Sequence, residues 1–72
     1  MDIEEAIEKA MEFLERKGGQ YTHRLVNVKL EGSVWKIKFD TGIFAENLTE
    51  LEVDDKTGRI VKYEASEQSQ KS

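Results

Sequence analysis

Apolar residues near the start of the chain recur at helical spacing. Ile3, Ala6, Ile7, Ala10, Met11 and Leu14 follow the i, i+3, i+4, i+7 rule of a single face, with Phe13 at its edge. The pattern predicts a helix over Asp2 to Lys17. Asp2, three residues before Glu5, suits a capping box in which Asp replaces the usual Ser or Thr. Glu4 and Glu5 favour the positive end of the helix dipole, and Arg16 and Lys17 the negative end. Gly18-Gly19 then supplies the left-handed residue that ends the helix.

After the glycines the period falls to 2. Val26, Val28 and Leu30 alternate with Asn27 and Lys29, and Trp35, Ile37 and Phe39 alternate with Lys36 and Lys38. Gly32-Ser33 between them fits a type II′ turn, because glycine accepts positive φ at the first central position. The predicted register pairs Leu30 with Trp35, Val28 with Ile37 and Val26 with Phe39. A second hairpin follows, turning through Asp55-Lys56-Thr57-Gly58-Arg59 with a glycine bulge. Its predicted register sets Val53 opposite Val61, Leu51 opposite Tyr63 and Glu52 opposite Lys62.

The connection from Thr41 to Asn47 is too short for a crossover helix, so the strands it joins are expected to be antiparallel. Trp35 against Val53 and Ile37 against Leu51 then bring Lys36 to Glu52 and Lys38 to Glu50. The expected architecture is α+β: one N-terminal helix packed on a four-stranded antiparallel meander in the order 1-2-3-4. Trp35 lies beneath the helix in this scheme, and Lys and Glu cover the other face. Residues 1–64 form the single domain, and the polar tail from Ala65 to Ser72 is expected to be disordered.

Composition narrows the function classes. The chain has 72 residues, a formal net charge of −4, no Pro and no Cys. Lack of cysteine excludes a disulfide scaffold, a thiolate-ligated metal and thiol chemistry. Neither a membrane-length apolar run nor a signal-peptide core is visible, so the expected setting is the cytoplasm, away from membranes. An acidic balance disfavours nucleic acid. Lys29, Lys36 and Lys38 would line the open face, but alternation places Trp35 and Phe39, the aromatics that could stack bases, on the opposite one.

Candidate chemistry is sparse. His23 is the only histidine, and none of the serines (Ser33, Ser66, Ser69, Ser72) has an ordered reason to approach it. No catalytic residue and no cofactor site is expected. Glu46, Glu50, Glu52, Asp54 and Asp55 could hold a weak cation, although strand pairing and turn formation explain most of them. Ile43 and Phe44, in a connection where polar residues are the norm, either plug the open end of the core or form an apolar contact tip. The edge strands could accept a further strand, which adds Tyr21 and Arg24 of the first strand to the candidate partner-binding residues.

Three segments resemble the PepSY domain family. Glu4-Glu5-Ala6-Ile7-Glu8-Lys9-Ala10 is similar to its opening helix. Val26-Asn27-Val28-Lys29-Leu30 and Val34-Trp35-Lys36-Ile37 are similar to its central hairpin, and Val53-Asp54-Asp55-Lys56-Thr57-Gly58-Arg59-Ile60-Val61 to its closing strand–turn–strand. The resemblance implies a non-catalytic module that binds or restrains a peptidase, with no catalytic residues to carry over. On the residues alone, three readings stand: a protein- or peptide-binding module, a homo-oligomer such as a homodimer pairing through its edges, or a weak cation or small-ligand binder at the acidic hairpin end.

Overall fold

The computed structural model describes residues 1–17, 23–42 and 47–65. Helix α1 (Ile3–Lys17) is followed by strands β1 (Arg24–Glu31), β2 (Val34–Asp40), β3 (Leu48–Asp54) and β4 (Ile60–Ala65). All neighbouring strands are antiparallel, and the sheet order is β1-β2-β3-β4. The helix-on-meander architecture is therefore the one the periodicities specify. Gly18 and Gly19, the expected helix terminators, lie outside the described residues, as do residues 66–72. Ala65 belongs to β4, opposite Thr49, rather than to the tail.

The helix begins where its cap dictates. An Asp2 carboxylate oxygen accepts the backbone N–H of Glu5 at 2.9 Å, satisfying one of the unpaired donors of the first turn. Ala6, Ala10 and Leu14, spaced by four, are fully buried against the sheet. Two alanines in that row let the helix approach β2 and β3 closely. They meet Trp35, Ile37 and Phe39 of β2 and Leu51 and Val53 of β3, all buried. Phe13 closes one flank by packing on Tyr63 of β4, ring centres 5.3 Å apart.

Each outer pairing carries a β-bulge that alternation alone does not reveal. In β1 the register slips between Leu25 and Asn27, so Leu25, not Val26, stands opposite Phe39. In β4 it slips beside Val53, so Ile60, not Val61, stands opposite Val53. Val26 and Val61 are the extra residues, half or more exposed. Both strands carry adjacent apolar pairs, Leu25-Val26 and Ile60-Val61, and the bulge decides which member keeps the core-side position.

A second departure concerns β1 as a whole. Val26, Val28 and Leu30 were expected beneath the helix, yet Leu25, Val26 and Leu30 are 44%, 50% and 47% exposed, and only Val28 is half-buried. Width explains this. A helix with its side chains is about 10 Å across, whereas the outer axes of four strands are roughly 14 Å apart. The helix sits over β2, β3 and β4. Among the described residues the helix leaves one edge uncovered, and it is β1.

Candidate functional site

Strand β1 is one of two sheet edges, so half of its backbone donors and acceptors face away from β2. Leu25, Val28 and Leu30 point to the helix side, opposite Phe39, Ile37 and Trp35. Across from them runs the helix row Ile3, Ile7 and Met11, continued by Glu15. Glu15 reaches His23, just ahead of β1, with an oxygen 3.2 Å from Nε2, which fixes that row as the flank turned toward β1. Ile3 is 44% exposed, and Ile7 and Met11 are half-buried. The result is an apolar trough, uncovered among the described residues, whose floor ends in a free strand edge.

The other edge differs. In β4 the bulge at Val61 leaves only Lys62 to Ala65 regularly paired, and the Tyr63 ring is already taken up by Phe13. Lys62 is engaged by Glu52 at 3.8 Å and Glu64 at 3.6 Å. Both edges carry a bulge and charged side chains, so it is the shorter paired run and the ring contact with Phe13 that make β4 the poorer acceptor.

Of the expected contact residues, Tyr21, Ile43 and Phe44 lie outside the described residues. Arg24 opens β1. Its guanidinium donates to a carboxylate oxygen of buried Asp40 at 2.7 Å while its side chain stays 78% exposed. The other Asp40 oxygen accepts the backbone N–H groups of Gly42 at 3.0 Å and Asn47 at 3.1 Å. Those two N–H bonds, with the Arg24 charge, hold the Asp40 carboxyl below its ordinary range against the opposing effect of burial. Thr41 adds its backbone N–H and hydroxyl to the Asn47 carbonyl at 2.9 and 3.1 Å. Asp40 is thus a clasp between β1 and both ends of the β2–β3 connection.

At the opposite end, Asp55 performs a similar task. One oxygen accepts the Trp35 indole N–H at 2.7 Å and the Met1 ammonium at 3.2 Å. The indole bond first, then the ammonium, lowers the Asp55 pKa. Asp54 accepts the backbone N–H and hydroxyl of Thr57 at 2.8 and 2.9 Å, which likewise lowers its pKa. Gly58, at φ 76°, closes this turn. Both aspartates are therefore spent on structure. Among the described residues no three acidic or histidine side chains converge as a metal site would require.

On the open face the register matches expectation, Lys36 opposite Glu52 and Lys38 opposite Glu50, but the ion pairs are arranged differently. Lys29 and Lys36 are direct cross-strand neighbours, and Glu31 lies 3.0 Å from both ammonium groups. Bridging two like charges outweighs a contact with one, so Lys36 turns to Glu31 rather than Glu52. The bond raises the Lys36 pKa and lowers that of Glu31. His23, half-buried, sets its ring edge-on to Phe39 at 5.7 Å. Ser33, in the first hairpin turn, belongs to the other end of the strand.

No family model matches the chain, nor does any curated protein or solved structure. The described part contains no helix long and apolar enough to cross a membrane.

Leu25 and Leu30 are the site residues that periodicity misses. It counts Leu30 as core, and a strict two-residue alternation leaves Leu25 unassigned. The available signals were the doubled Leu25-Val26 and the mismatch between the width of one helix and that of four strands.

Proposed function

We propose that the chain is a non-catalytic protein-binding module that takes an extended segment of its partner along the free edge of β1. The observation carrying this reading is the half-exposed apolar row on a strand that the helix leaves uncovered. Strand addition draws its affinity from main-chain hydrogen bonds and its selectivity from alternate side chains. Here a partner's alternate apolar residues would lie beside Leu25, Val28 and Leu30, capped from above by Ile3, Ile7 and Met11. Arg24 and Lys29 favour an acidic residue in the segment, and Glu31 a basic one.

Amide chemical shifts test the reading directly. The chain, kept dilute enough to be monomeric, is titrated with extended peptides that alternate apolar and charged residues, and with a control in which serine replaces the apolar positions. Shifts confined to β1 and the Ile3–Met11 flank, absent with the control, are expected. A panel that leaves β1 unmoved, or that shifts β4 instead, removes the proposal.

A further inference from the structure

The free edge of β1 also constrains what pairs with it. Glu31 and Val34 close a two-residue turn as a hydrogen-bonded pair, so Asn27, Lys29 and Glu31 direct their backbone groups to β2. Val28 and Leu30 direct theirs outward. An antiparallel newcomer must therefore form hydrogen-bonded pairs at Val28 and Leu30.

Strand β1 meets this requirement with its own sequence. About a two-fold axis through Val28, Val28 meets the second copy's Val28 and Leu30 meets the second copy's Leu25. On the other face Lys29 meets Asn27, and Glu31 meets Arg24. The bulge at Val26 is what brings Leu25 and Arg24 to these positions. Centring the axis on Lys29 instead would oppose two ammonium groups. Centring it on Leu30 would leave Leu25 and Arg24 unpaired. Arg24 remains exposed after bonding Asp40 and has donors to spare for a second carboxylate.

We infer that the occupant of the β1 edge is a second copy of this chain, paired β1 to β1 in the Val28-centred register. The inference rests on the strand-accepting reading above and names its partner. A two-fold axis perpendicular to the sheet places both helices on the same side. They flank a shared trough in which Leu25 and Leu30 of each copy shield those of the other.

Light scattering on a size-exclusion column, over a concentration series from micromolar to millimolar, measures the assembly. Wild-type chain is expected at twice the monomer mass in the upper part of that range. The double variant Leu25→Lys with Leu30→Lys alters only half-exposed residues and is expected at monomer mass with an unchanged far-ultraviolet spectrum. Val61→Lys, on the other edge, is expected to remain a dimer. A wild-type monomer at every concentration overturns the second copy; strand acceptance then stands if peptides still shift β1 and falls with it if they do not. A dimer that survives the double lysine variant overturns β1 as its seat. Should that variant lose its fold, Val28→Cys decides, since the natural chain has no cysteine. A covalent dimer under mild oxidation supports the register, and a failure to cross-link when Lys62→Cys does so overturns it.

Discussion

At the scale of single residues, stability depends on two aspartates at opposite ends of the sheet. Asp55 is the acceptor for a tryptophan that is only 9% exposed and for the Met1 ammonium. In Asp55→Ala the indole N–H is left buried without an acceptor, a costly state for a polar group. We expect a lower urea midpoint together with red-shifted emission of Trp35, the only tryptophan. Unchanged emission with an unchanged midpoint would show that the bond contributes nothing. Asp40 gives a pH dependence. Its folded-state pKa lies below the ordinary 3.8, so the unfolded chain binds the proton first as acid is added. The Asp40 contribution is therefore complete above that ordinary value and is lost as pH falls through the lower, folded-state pKa. Asp54 and Asp55 act in the same direction. In Asp40→Asn the fall in urea midpoint between neutral pH and acid should be smaller than in wild type, and an identical slope would contradict the assignment.

Within the elements, side chains opposite one another settle the finer balance. Glu50 stands between Lys38 on β2 and Glu64 on β4, so one neighbour attracts it and the other repels it. Glu64→Lys should stabilise the fold by only about 0.2 kcal/mol, since the gain opposite Glu50 is largely offset by loss of the 3.6 Å pair with Lys62. Chemical denaturation at low and high salt would check this, with the gain shrinking as salt rises. The helix was legible at this scale as far as Lys17. Its cap, its charged ends and its buried Ala6-Ala10-Leu14 row follow from periods and local hydrogen bonding that involve only near neighbours. The centre of the sheet was legible too, because a slip of one residue between β2 and β3 would turn Trp35, Ile37 and Phe39 into water. At the bulges the sequence was ambiguous. Where two apolar residues adjoin, either can face the core, and only packing against the partner strand selects Leu25 and Ile60.

For the molecule as a whole, one layer of helix over a wider layer of sheet makes the core asymmetric. Ile37, fully buried beneath the helix, and Leu30, on the uncovered edge, are both apolar residues of the first hairpin. Ile37→Ala should cost about 2–5 kcal/mol, a large part of a small domain's stability. Leu30→Ala should cost well under half as much, because its side chain is already 47% exposed. Equal losses would mean that the helix covers β1 after all. The same asymmetry puts the candidate binding surface on β1, where exposed apolar area adjoins unpaired backbone.

Local sequence was enough to set the helix, the four strands, the first hairpin turn and the meander order, because each follows from a short period or a tight turn whose energetics are decided among near neighbours. It also named Arg24 as an edge residue. Tertiary structure decided the rest: which apolar side chains stay in water, which edge is blunted, and which acceptors Trp35 and Arg24 find. Those outcomes depend on how wide a helix is beside a sheet and on which distant groups meet across it, quantities that no run of adjacent residues encodes.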